Sequence, residues 1–169
     1  MSEEIEIRST GNFTSEDGSK YIGEYIELDG VRFRDGKGEY ISGPERYEGD
    51  WKKDTMSGKG TYQFASGKEI NQSNIYLNIL THYFFLLIFI HNKGASYSGD
   101  FLEGLFEGIG RYNFTDGAYY EGEWSSSKMH GQGCYTDPNG SKFEGQFFNG
   151  SYSTGSSYIS LRPNNNQFN

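Results

Sequence analysis

Apolar and polar residues alternate with a period of two through most of this chain, and the apolar positions are largely aromatic. The clearest runs are Tyr21-Ile22-Gly23-Glu24-Tyr25, Tyr47-Glu48-Gly49-Asp50-Trp51, Tyr97-Ser98-Gly99-Asp100-Phe101, Tyr120-Glu121-Gly122-Glu123-Trp124 and Phe143-Glu144-Gly145-Gln146-Phe147. Alternation on this period predicts strands with their rings on one face. A second run follows most of them: Gly36-Lys37-Gly38-Glu39-Tyr40, Gly58-Lys59-Gly60-Thr61-Tyr62, Gly108-Ile109-Gly110-Arg111-Tyr112 and Gly131-Gln132-Gly133-Cys134-Tyr135. Two alternating runs joined by a short polar connection predict a β-hairpin.

The hairpins recur. Residues 97, 120 and 143 are spaced by 23, and residues 21 and 47 by 26. A period in this range marks one supersecondary unit that buries its apolar face on its neighbours. The predicted fold is therefore all-β: an elongated, twisted antiparallel array of β-hairpins. Gly11 to Phe13 is expected as a lone strand covering the first hairpin, behind a disordered 1–10. The first hairpin runs eleven residues rather than seven from Tyr25 to Gly36, so a turn four residues longer is expected there. At the other end Thr154 and Ser156 stand where glycines are due before Tyr158, a drifted terminal unit ahead of a polar tail, 161–169. Glycine within a strand leaves room for a ring or a backbone to come close, the role expected of Gly49, Gly99, Gly122 and Gly145.

One segment breaks the period and divides the array into 11–67 and 95–160. Gly94 repeats the position of Gly67, so residues 68–94 form a non-repeat insertion of 27 residues. It is apolar, rich in Ile, Asn, Leu and Phe, and β-prone, which makes it an aggregation hazard. Gly67-Lys68 can be encoded GGTAAG and Lys93-Gly94 AAAGG, so the hypothesis is a retained intron translated in frame. Genomic sequence without the splice dinucleotides at those boundaries would dismiss it. The rival is a membrane anchor, but Ile75–Ile90 contains Asn78, Thr81 and His82, and a spanning helix takes about 20 apolar residues.

Charge narrows the partners. The net charge is −8, against the clustered Lys and Arg that nucleic acid requires and against anionic lipid. A lone cysteine, Cys134, and an N-terminus without an apolar leader lead to the expectation of a reducing, cytoplasmic setting. Catalytic chemistry is not visible. His130 reads as a solvated turn histidine, the Gly-x-Gly pairs open no helix and lack a Walker lysine, and the carboxylates are spread as on a solvated face. No enzyme, metal or cofactor is expected.

These runs resemble the MORN repeat, Tyr-x-Gly-x-Trp followed by Gly-x-Gly-x-Tyr, over about residues 11–158 outside the insertion. Residues 131–137 and the weak last unit resemble the small MORN repeat-containing protein 2 group. The resemblance implies non-catalytic adaptors and scaffolds, often of cilia, flagella or sperm. Tyr25, Phe101 and Phe147 depart from it in replacing Trp.

The expected function is a scaffold whose concave aromatic face binds a protein segment, with an amphipathic helix the mode that suits a row of rings. The candidate contact rings are Tyr25, Trp51, Tyr62, Phe101, Tyr112, Trp124 and Tyr135. If they bind, Trp51→Ala or Trp124→Ala loses a partner while the fold survives; if they are core, the fold collapses. A peripheral membrane or phospholipid-associated module is the alternative, and a regulatory subunit of an enzyme complex a third. Exposed end strands leave a homodimer open.

Overall fold

The computed structural model describes residues 7–65 and 94–162. They form a single open antiparallel sheet of 12 strands in chain order. The strands are β1 (Ile7–Thr14), β2 (Lys20–Leu28), β3 (Val31–Ser42), β4 (Glu45–Lys52), β5 (Thr55–Gln63), β6 (Ser96–Leu102), β7 (Leu105–Asn113), β8 (Tyr119–Ser125), β9 (Lys128–Thr136), β10 (Lys142–Phe148), β11 (Ser151–Ser153) and β12 (Tyr158–Ile159). The expected hairpin array is therefore present.

Two rows cross the sheet at right angles to its strands. From β1 to β10 the register aligns Gly11, Gly23, Gly38, Gly49, Gly60, Gly99, Gly110, Gly122, Gly133 and Gly145. Beside it run Phe13, Tyr21, Tyr40, Tyr47, Tyr62, Tyr97, Tyr112, Tyr120, Tyr135 and Phe143. The first-strand tyrosines lie down on the glycines. A Cβ on Gly49 would stand 2.5 Å from the Tyr47 hydroxyl and 2.6 Å from the Cα of Gly60. The glycine row is thus the bed of a ring row, as the sequence led one to expect for close approach.

Each bed is closed by one device. Tyr47, Tyr97 and Tyr120 donate their hydroxyls to the carbonyls of Asp50, Asp100 and Glu123, at 2.9, 3.0 and 3.0 Å. The side chains of those same acidic residues accept backbone amides of the partner strand: Lys59 to Asp50 (2.9 Å), Ile109 to Asp100 (3.0 Å) and Gln132 to Glu123 (2.7 Å). There the partner strand bulges, with Gly58, Gly108 and Gly131 at positive φ. Sequence reasoning took these carboxylates for a solvated face; they hold the bulges.

Asp100 supplies a pH test of this device. Burial works to raise its pKa, but the Lys59 ammonium and the Ile109 amide outweigh it and hold the carboxyl below 3.8. A depressed folded pKa contributes stability that is present above the unfolded value and lost as pH falls through the folded one. Below about pH 4 the urea midpoint of the wild type should therefore drop more steeply than that of Asp100→Asn. Parallel pH profiles would show that the ionised cap adds nothing.

Several boundary expectations change. The first hairpin turns on Asp29-Gly30, two residues at positive φ like Lys53-Asp54, Glu103-Gly104 and Ser126-Ser127. Its four extra residues lengthen β2 and β3 rather than the turn, because the same two-residue geometry matches the strand twist. The leading strand begins at Ile7, so residues 7–10 are ordered by pairing with β2 instead of belonging to a disordered 1–10. Tyr158 does not extend the strand after Phe147. The chain turns back at 154–157, and Tyr158 pairs with Ser153 on β11.

The expected insertion, 68–94, lies outside the described residues except for Gly94. Its flanks meet all the same. The Phe64 amide donates to the Ala95 carbonyl at 3.1 Å, and Tyr62 pairs Tyr97 in the register that Tyr112 and Tyr120 show. No helix among the described residues is long and apolar enough to cross a membrane.

Candidate functional site

The seven rings singled out from the sequence share one face of the sheet, and packing uses nearly all of the surface of six of them. Trp51, Tyr62, Phe101, Tyr112, Trp124 and Tyr135 are each 6 % exposed or less. They contact one another across repeats. Trp51 meets Tyr21 edge-on at 5.6 Å, Phe101 meets Tyr47 at 5.2 Å, and Trp124 meets Tyr97 at 5.4 Å. The Trp124 indole also donates to the Gly110 carbonyl of the preceding hairpin at 3.0 Å. Phe101 and Phe147, with no indole N–H, cannot make that bond.

Only Tyr25 is half-buried. The position opposite it carries Arg34, where the later hairpins have Met56, Phe106 and Met129. The Arg34 guanidinium lies 4.2 Å over the Trp51 ring and forms an ion pair with Asp54 at 2.9 Å. The expectation of an open aromatic binding face is therefore corrected for six of the seven rings. Their edge-to-face packing, not a partner, removes them from water.

The opposite face has room. Strand alternation places Ile22, Glu39, Glu48, Thr61 and Ser98 there as register neighbours, one position from each glycine. Lys37 and Lys59 stand on the other side of the glycine row. Between these two lines of side chains runs a groove of ≈ 720 Å³, floored by Gly38, Gly49, Gly60 and Gly99. Its walls carry both signs of charge. Lys37 pairs with Asp50 and Lys59 with Asp100, each at 2.6 Å. Arg46 bridges Glu39 and Glu48 at 2.6 and 3.0 Å. Ile22 is 48 % exposed at one end.

Sequence reasoning missed this surface because its residues read as the ordinary polar side of a strand. The glycine row gave no signal for it, because an absent Cβ opens space only on the face to which that side chain would point, here the tyrosine face.

The remaining candidates are structural or unassembled. His130 lies within β9 rather than in a turn, with its ring 5.3 Å from Phe148. Cys134 is half-buried on the same strand. Among the described residues no group of three or more His, Cys, Asp or Glu side chains could hold a metal ion.

Comparison with known proteins finds the MORN repeat at residues 47–69, 97–119 and 120–142. These matches coincide with the hairpins β4–β5, β6–β7 and β8–β9. Such repeats generally form scaffolds for protein or membrane interactions. No curated protein matches the chain.

Proposed function

We propose that this chain is a non-catalytic scaffold that holds a segment of a partner protein in the glycine-floored groove. The groove carries the reading: it is floored by glycines and lined by both charge signs. An amphipathic helix is the proposed occupant, laid along the groove with polar side chains reaching the paired lysines and carboxylates of its walls. Paired lysines and carboxylates on the walls set its register more than its affinity, as exposed ion pairs contribute about 0–1 kcal/mol each. The net charge of −8 favours this over a lipid surface. A cytoplasmic setting belongs to the proposal on the strength of the lone cysteine, and assembly in a cilium or flagellum and kinship with the small MORN repeat-containing protein 2 group on the strength of the resemblance.

Thr61→Trp tests it by placing an indole over the glycine floor. Thr61 is half-buried on the polar side of the sheet, its hydroxyl 3.0 Å from that of Ser98, so the fold should keep its thermal midpoint. Partners crosslinked by the wild type should be lost at least about tenfold, the equivalent of 1.4 kcal/mol. Undiminished capture by a folded Thr61→Trp chain would rule the groove out.

A further inference from the structure

Beyond the groove, the C-terminal end of the described chain sits in a seat that the repeats build. Arg162 is only 7 % exposed although it lies beyond the array. Its guanidinium lies 3.9 Å over the Phe114 ring. One terminal nitrogen donates to the Asp116 carboxylate at 2.9 Å and the other to the Tyr135 hydroxyl at 3.1 Å. A flat ring beneath, a carboxylate at the end and a hydroxyl at the side complement a planar guanidinium. All three come from the repeats: Phe114 and Asp116 from the connection after β7, Tyr135 from β9.

The strap that delivers Arg162 is otherwise lightly held. Strand β12 is two residues long, and Tyr158 and Ile159 are 55 % and 42 % exposed. Leu161 packs against the core beside Arg162. The hold thus rests on the Leu-Arg pair and a Tyr158–Phe148 ring contact at 5.8 Å, beyond a tether of Ser, Thr and Gly residues at 153–157. Asp116 agrees with an ionised partner: burial opposes ionisation, but the Arg162 hydrogen bond and the Ala118 amide keep its pKa below 3.8.

We propose that Phe114, Asp116 and Tyr135 form a recognition site for an arginine on an extended partner segment, filled in cis by the chain's own Leu161-Arg162. The strap is then a tethered competitor, and a partner arginine enters as it swings out. The acidic chain suits a cationic ligand. This site is separate from the glycine-floored groove and stands or falls independently of it.

The probe is a synthetic peptide of residues 157–169, with a second peptide carrying alanine for arginine. Each is titrated by fluorescence polarisation into the full chain as wild type, Arg162→Ala and the double variant Arg162→Ala/Asp116→Asn. The expected result is that Arg162→Ala binds the arginine peptide at least about tenfold more tightly than the alanine peptide. The wild type, its seat filled, binds both weakly, and the double variant no longer distinguishes them. Equal affinity of Arg162→Ala for the two peptides, or none for either, overturns the proposal. Failure of Arg162→Ala to fold overturns it as well, since the strap would then be a structural member of the array. Wild-type binding of the arginine peptide as tight as that of Arg162→Ala overturns it too, since the seat would then not be filled in cis.

Discussion

Gly99→Ala is expected to destabilise the chain by about 3 kcal/mol or more, a large share of the roughly 5–15 kcal/mol that holds a domain folded. The backbone there is not in the left-handed region, so conformation alone would tolerate alanine. The obstacle is space: a Cβ would stand 2.5 Å from the Gly110 Cα, 2.6 Å from the Ile109 carbonyl and 2.6 Å from the Tyr97 hydroxyl. Two of those three neighbours are backbone of the next strand, which cannot yield without breaking the ladder. Gly104→Ala is the control. Gly104 has φ 79° and nothing within 4 Å of its absent Cβ, so alanine there costs about 1–2 kcal/mol of backbone strain. Urea denaturation of the two variants ranks the effects. A Gly99→Ala chain as stable as Gly104→Ala would mean that the ring does not lie on the glycine.

Trp124→Ala is expected to unfold the central hairpins, with a loss of about 3–5 kcal/mol. Its indole touches Tyr97, Phe106, Tyr112 and Tyr120 and bonds the Gly110 carbonyl. Removal therefore opens a cavity between two repeats and orphans part of a buried carbonyl's bonding. In an array each unit leans only on its neighbours, so a break in the middle separates the sheet into two marginal halves. Near-UV circular dichroism and a thermal melt report the outcome. A native melt with a lost partner would instead return the ring face to the role that the sequence suggested for it.

These two residue types show how far the sequence could be read. The ring-glycine alternation and its spacing were legible from composition and period alone, because hairpin, ring row and glycine row are all local in the repeat. The carboxylates at 50, 100 and 123 were not, since their function is a bond to an amide nine residues away across a bulge. Arg162 was less legible still. Its partner Asp116 is 46 residues distant, and nothing in the polar run around it marks a buried guanidinium.

The rings divide the two kinds of knowledge most sharply. The sequence by itself determined that Trp51, Phe101 and Trp124 share a face with Tyr47, Tyr97 and Tyr120, because a period of two leaves no other arrangement. It could not determine whether that face is open. That was decided by the twist and bulges of the sheet, which bring each ring edge-on to a tyrosine of the preceding repeat and bury the whole row. The tertiary structure thereby left the polar side of the sheet as the free surface, since the rings and the absent Cβ atoms lie together on the buried side.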